Sequence, residues 1–190
     1  MRKILLLVLL ALMWGVYAVA QDQPKGELGV GYDYLKADAD LPSASTQTNS
    51  VPAGFFADGT YYFTRLLGLT ADFQYHHKSF NGGGTGSFFS FNGGPRIKGH
   101  MGKAEPFAHA LFGVTHDSFT AVSGTSTSDN AFSLKIGGGL DVAVARHFAI
   151  RLAEANYYMT KFGATSPGNF NDKLDTRQNN FTFGAGIVIR

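Results

Sequence analysis

Nine charged side chains are the first candidates for chemistry. Glu27, Asp58, Asp72, Arg96, Lys98, Lys135, Asp141, Arg151 and Glu154 are scattered over the chain, yet each shares alternate positions with Gly, Ser, Thr and Asn inside an otherwise apolar segment. Buried charges persist only when paired and hydrogen-bonded. If the segments enclose a common interior, these five acids and four bases form a structural polar plug, or, as the alternative, a narrow ion path gated by rearranged pairs. The histidines offer less. His76 and His77 are adjacent, so on a strand they face opposite ways and cannot hold one metal together; His76 with His116 is the remaining combination, and no metal or cofactor site is expected. His116-Asp117-Ser118 sets a base and a hydroxyl two residues apart, on one strand face, which is the start of a nucleophile–base arrangement. No acidic residue on a neighbouring segment is placed to orient His116, and Ser118 is expected to open a Ser/Thr-rich loop, so no catalytic site is expected.

The elements that carry these residues read as strands. Eight segments alternate with a period of two: 26–36, 51–63, 67–77, 86–98, 106–116, 130–142, 148–160 and 179–190. In the third, Leu67, Leu69, Ala71, Phe73 and Tyr75 share one face, and Gly68, Thr70, Asp72, Gln74 and His76 share the other. Sustained alternation of this kind means one apolar and one polar face. In the second segment Val51, Ala53, Phe55, Ala57, Tyr61 and Phe63 are the outward set. Pro95 cannot donate to a ladder and is expected to mark a bulge or the end of the fourth strand. The seventh segment keeps its phase only if a β-bulge near Leu152-Ala153 turns Glu154 and Asn156 inward.

Connections alternate in length as well. Residues 64–66, 100–105 and 143–147 are short, whereas 37–50, 78–85, 117–129 and 161–178 are longer and rich in Ser, Thr, Asn and Gly. Short turns at one end and long polar loops at the other describe a transmembrane barrel with its loops outside the cell. The segments have the length that a tilted membrane strand needs, about 9–11 residues. A soluble barrel would invert the two faces, with its polar side outward. The expected fold is therefore an all-β, eight-stranded antiparallel up-and-down transmembrane β-barrel. Eight strands leave an interior that side chains fill, whereas an open diffusion pore needs about 16.

The N-terminus agrees with export. Met1-Arg2-Lys3 is basic, 4–14 is apolar, and Ala18-Val19-Ala20 is a small-residue cleavage site, so residues 1–20 read as a secretory signal peptide and 21–190 as the barrel domain. Removing Arg2 and Lys3 from the 16 basic side chains leaves 14 against 14 acidic ones, and no basic cluster offers a nucleic-acid footprint. There is no cysteine, so no disulfide supports the exported chain.

Several stretches resemble a known family. Phe91-Asn92-Gly93-Gly94-Pro95-Arg96, Glu105-Pro106-Phe107-Ala108-His109-Ala110-Leu111-Phe112-Gly113, Gly137-Gly138-Gly139-Leu140-Asp141-Val142, Arg146-His147-Phe148-Ala149-Ile150-Arg151 and Phe181-Thr182-Phe183-Gly184-Ala185-Gly186-Ile187 are similar to the small eight-stranded outer-membrane β-barrel proteins related to the OmpA transmembrane domain. The resemblance covers essentially the whole mature chain. With an even strand number both termini are expected on the periplasmic side, and the protein is expected to be a monomer in the bacterial outer membrane, with outer-membrane lipid and the barrel-assembly machinery as its partners. The resemblance implies no shared catalytic residue. The family's C-terminal peptidoglycan-binding domain is not matched, and Arg190 stands where the family usually ends on an aromatic. Some eight-stranded barrels are lipid A acyl hydrolases, and the likeness to them is confined to the His116/Ser118 spacing. Tyr32, Tyr34, Tyr61, Phe63, Tyr75, Tyr157 and Tyr158 are the expected interfacial girdle aromatics. The function expected is structural, with the loops available to an extracellular ligand that the sequence does not identify.

Overall fold

The computed structural model describes residues 25–37, 50–79, 85–120, 124, 126–162 and 177–190. Eight strands follow one another: β1 (Gly26–Ala37), β2 (Ser50–Tyr62), β3 (Leu67–Ser79), β4 (Thr85–Lys98), β5 (Ala104–Thr120), β6 (Ser126–Ala145), β7 (Phe148–Phe162) and β8 (Arg177–Ile189). Each pairs antiparallel with the next, and β8 returns to β1, so the sheet is a closed up-and-down barrel. Closure leaves no edge strand, and the ladder satisfies the backbone within the wall. The expected signal peptide, and loop residues 38–49, 80–84, 121–123, 125 and 163–176, lie outside the described residues.

The barrel is apolar outside and polar inside. Among the described residues 24 polar or charged side chains are buried against 8 apolar ones, and Leu28, Phe55, Leu69, Phe91, Phe112, Val114, Phe132, Phe183 and Ile187 are among many exposed large apolar groups. In β3 the alternation is complete from Leu67 to His76: Leu69 is 53 % exposed and Thr70 1 %. Such an exterior needs an apolar surround, which a soluble barrel would not have.

Three turns close one end. Residues 63–66 join β2 to β3, with the Leu67 amide donating to Thr64 Oγ1 at 2.9 Å. Residues 99–103 join β4 to β5 around Gly102, whose φ of 66° is the left-handed conformation glycine adopts without a Cβ clash. Arg146 and His147 join β6 to β7. The four other connections lie at the opposite, loop end.

Irregularities sit where the side-chain phase has to change. Arg151 faces Asp141 and Gly186, whereas Glu154 faces Gly184, so β7 carries one extra residue at Leu152-Ala153. Both of those side chains are exposed, and Glu154, Asn156, Tyr158 and Thr160 are then buried in turn. This phase corrects one girdle assignment. Tyr158 is fully buried in the lumen, because it alternates with the outward Tyr157; two neighbouring strand residues cannot both face out without a bulge between them. A second shift lies opposite Asp33 and Leu35, at Pro52-Ala53 of β2, and a third lies at Ala143/Ala145. The facing of Val51 and Ala53 falls outside the described side chains.

Pro95 marks neither a bulge nor a strand end. β4 passes through it in unshifted register with both neighbours and runs on to Lys98. The loop between β5 and β6 is also shorter than expected. Their ladder continues to Thr120 and Ser126, whose hydroxyls are 3.2 Å apart, so Ser118 lies within β5 rather than opening a loop. Hydroxyl side chains paired across strands support such an extension.

Candidate functional site: the barrel interior

Alternation carries the nine charged residues named above inward from six of the eight strands, and all nine are buried. They form one connected network. At its centre Arg151 donates from Nη1 to Asp58 Oδ1 at 2.6 Å and to Glu154 Oε2 at 2.8 Å, and from Nε to Asp141 Oδ1 at 2.9 Å. Arg96 Nη1 reaches the second oxygen of Asp58 at 2.7 Å and Thr60 Oγ1 at 3.0 Å. Lys135 Nζ bonds Asp72 at 3.0 Å and lies 3.6 Å from Glu154. Lys98 Nζ bonds Glu27 at 2.7 Å and Asp141 at 2.9 Å. Every cation thus touches at least two acceptors, the condition under which buried charge is tolerated.

Two apolar rings complete the packing. The Phe107 ring packs against both guanidinium groups, 4.7 Å from Arg96 and 4.6 Å from Arg151, and the Phe56 ring lies 5.5 Å from Arg151. Flat cations on a ring face gain cation–π attraction, more so when desolvated. Gly139 makes the room: a Cβ there would stand 2.8 Å from the Phe107 ring and would also overlap the Ala153 carbonyl. Gly139→Val is expected to displace the ring and lower stability by about 1–3 kcal/mol. A urea titration of the folded gel band would read this as an earlier midpoint, and an unmoved midpoint would remove Phe107 from the account.

Toward the turn end the network gains residues that the sequence did not single out. Glu105 Oε2 lies 3.3 Å from Lys98 and pairs with the Arg190 guanidinium, whose Nε is 2.9 Å from Glu27. The Tyr62 hydroxyl donates to Glu27 at 3.1 Å. His100, in the turn beside them, is held below the usual imidazole range chiefly by burial, so it adds no charge near pH 7. From the level of Arg96 toward the loop end, neutral polar groups join the lining. Ser133 donates to Asn92 at 2.7 Å, Tyr158 and Thr115 share a hydrogen bond, and His109 lies 2.8 Å from Asn156. Above them Gln74 donates to Asp33 at 2.9 Å, and His76 is 3.3 Å from the same carboxylate. Asp33 and His109 have inward parity in the sequence; parity alone gives no sign of their partners.

The other candidates are not brought together. His76 faces inward, while His77 and His116 face outward, so His76 and His116 lie on opposite sides of the wall. His116 and Ser118 share the exterior face. The partner of His116 Nδ1 is Asn130 Oδ1 at 2.8 Å, an amide rather than the carboxylate of an acyl-hydrolase triad. Of the girdle aromatics, Tyr32, Tyr34, Tyr61, Phe63, Tyr75 and Tyr157 stand outside. Tyr75 packs on Phe55 (5.6 Å), Tyr61 on Phe63 (5.5 Å) and Tyr157 on Phe181 (5.7 Å).

Comparison with known proteins agrees with this architecture. The family model of the outer membrane protein beta-barrel domain matches residues 4–188. Among solved structures, neisserial surface protein A superposes with a TM-score of 0.62 at 13% identity, covering 89% of this chain and 99% of that one. Ail, the attachment invasion locus protein of Yersinia pestis, solved with the heparin analogue sucrose octasulfate, gives a TM-score of 0.50 at 22% identity, covering 86% and 95%. No curated protein matches by sequence.

Proposed function

The chain belongs to the outer membrane protein beta-barrel domain family, and from that membership we propose that it serves as a structural outer-membrane barrel whose lumen is closed and whose loops meet the cell's surroundings. One observation carries the reading: the interior is spanned by a continuous set of ion pairs from Asp72 through Lys135, Glu154, Arg151, Asp141 and Lys98 to Glu27, with Phe107 wedged against both arginines. Moving any of these charges aside exposes a buried partner, so no diffusion path is open at rest. The three short turns then face the periplasm with both termini, and the four longer connections face outward, as is usual for such barrels. The protein acts as a monomer in this reading, inserted by the barrel-assembly machinery. Tyr32, Tyr34, Tyr61, Phe63, Tyr75 and Tyr157 settle at the two membrane surfaces.

Planar bilayers containing the purified barrel are expected to show no step conductance across a wide voltage range. The second reading, a narrow gated ion path, is favoured by one feature. Among the described residues the loop-end lumen holds buried oxygens with no protein partner, Asp33 Oδ1, Gln74 Oε1 and Asp72 Oδ1, which have capacity left for water. Discrete openings that vanish in Gln74→Leu would replace the closed-plug reading with that one. Binding of the protein to host cells or matrix, lost when residues 38–49 and 163–176 are shortened, would test the surface role.

A further inference from the structure

The exterior wall changes character within two rows on one side of the barrel. Across β3–β6 the outward row Phe73, Phe91, Val114 and Phe132 is wholly apolar. The next row toward the loop end pairs Tyr75, Phe89, His116 and Asn130, and the row beyond pairs His77, Ser87, Ser118 and Ser128. Two residues of strand advance about 7 Å, so apolar wall gives way to hydrogen-bonding side chains over the depth of a head-group layer.

This rim is organised and one-signed. His77 Nδ1 and Ser87 Oγ are 3.1 Å apart, and His116 Nδ1 and Asn130 Oδ1 are 2.8 Å apart, with the His116 ring 5.0 Å from that of Phe89. Each imidazole is thereby held by Nδ1, and Nε2 is the atom left for a ligand. Lys161 of β7, exposed and paired with Phe132, stands one diagonal from Asn130. Among the described side chains no carboxylate faces outward in these rows: Asp117 has the inward parity, opposite to that of His116 and Ser118.

We propose that His77, Ser87, His116, Ser118, Asn130 and Lys161 form a seat for the anionic phosphate of a lipid head group in the leaflet around the loop end. The chemistry is that of phosphate recognition generally: the Lys161 ammonium, the serine hydroxyls and the Asn130 amide nitrogen donate to the phosphate oxygens, as each imidazole does when its Nε2 carries a proton, with no acid to repel the anion. The apolar row beneath receives the lipid's chains, so one molecule is held by both parts. The placement rests on the membrane-barrel reading, but the outward carboxylate-free rim is an observation of its own.

The test uses the whole barrel in phosphatidylcholine nanodiscs doped with a small share of bis-phosphorylated lipid A, or of the same lipid A stripped of phosphate. Native mass spectrometry counts the lipid A that stays with the protein. Retention of the phosphorylated form is expected to exceed that of the stripped form about tenfold, the effect of one charge-assisted contact. The preference should collapse in His77→Ala/His116→Ala/Lys161→Ala, persist in Lys161→Arg, and persist in Lys103→Ala at the opposite end. Equal retention of the two lipids by the wild-type barrel would overturn the proposal, as would a preference that survives the triple substitution. If the triple variant does not fold, Lys161→Gln and Ser118→Ala singly should each reduce the preference, and no reduction in either overturns it. A barrel that fails to enter the nanodisc at all would count against the membrane reading instead.

Discussion

Arg151→Leu is expected to destabilise the barrel by about 3–5 kcal/mol, the cost of leaving buried charge without its partner. Arg151 holds three carboxylates within 2.9 Å, Asp58, Asp141 and Glu154, whereas the third carboxylate of Lys98, Glu105, stands 3.3 Å away. Its loss leaves Asp58 with Arg96, Asp141 with Lys98 and Glu154 with a 3.6 Å contact to Lys135, so each remaining base serves more charge than before. Phe107 also loses one of its two cation contacts. Arg96→Leu and Asp72→Leu should cost less, because Asp58 keeps Arg151 in the first and Lys135 keeps Glu154 in the second. The reading is the urea concentration at which the compact band of unheated protein is lost on gels. Adding Asp58→Asn to Arg151→Leu should recover part of the loss, since the two residues are coupled and removing both leaves fewer unpaired charges. An unchanged midpoint in Arg151→Leu would show that water, rather than the network, satisfies these carboxylates. The ion pairs are not by this argument a net source of stability. Well-packed apolar groups can equal a buried pair; what the barrel cannot absorb is an incomplete one.

How far this interior was legible follows from what a period of two conveys. Parity assigns a face to each strand residue, so the nine charges were readable as one inward set before any partner was known. Parity also required the bulge near Leu152-Ala153, since Arg151 and Glu154 cannot both face inward along a regular strand. The same rule, followed two turns of the pleat further, separates Tyr157 from Tyr158. Grouping both as girdle residues weighed amphipathic ring type over phase, and the structure follows phase. Glu105 was missed for a different reason. β5 starts at Ala104, so Pro106 stands inside the strand rather than at its start, and Glu105 before it is already paired opposite Asp141. Partners were not legible at all. Lys98 meets Glu27 across 71 residues and Arg151 meets Asp58 across 93, and those meetings depend on the stagger of strands around the barrel, a global property of closure. The rim at His77, Ser87, His116 and Asn130 was hidden likewise: its residues lie on four strands and become neighbours only through register.

Register also gives the second large prediction, a pair of one-residue deletions with opposite outcomes. Removing Leu152 takes out the extra residue of the β7 bulge. Arg151 then remains inward, Ala153 outward and Glu154 inward, and pairing with Gly186 and Gly184 becomes regular, so the barrel should still form with a modest change in stability. Removing Ile136 from the regular part of β6 has no such outlet. Lys135 and Gly137 become neighbours and cannot both face inward. Either Lys135 and Ser133 turn outward or Gly137, Gly139 and Asp141 do, because a slip of one residue reverses every side chain on one side of it. A lysine on the lipid face costs about 2–4 kcal/mol at the midplane, and the partner it abandons costs about 3–5 kcal/mol more. That total is comparable with the whole stability of a small domain, about 5–15 kcal/mol. The Ile136 deletion should therefore yield no heat-modifiable band and no outer-membrane protein, while the Leu152 deletion yields both. If the two deletions behave alike, the inward phase of these strands is not what holds the barrel in register, and the polar interior would have to be a consequence of closure rather than one of its causes.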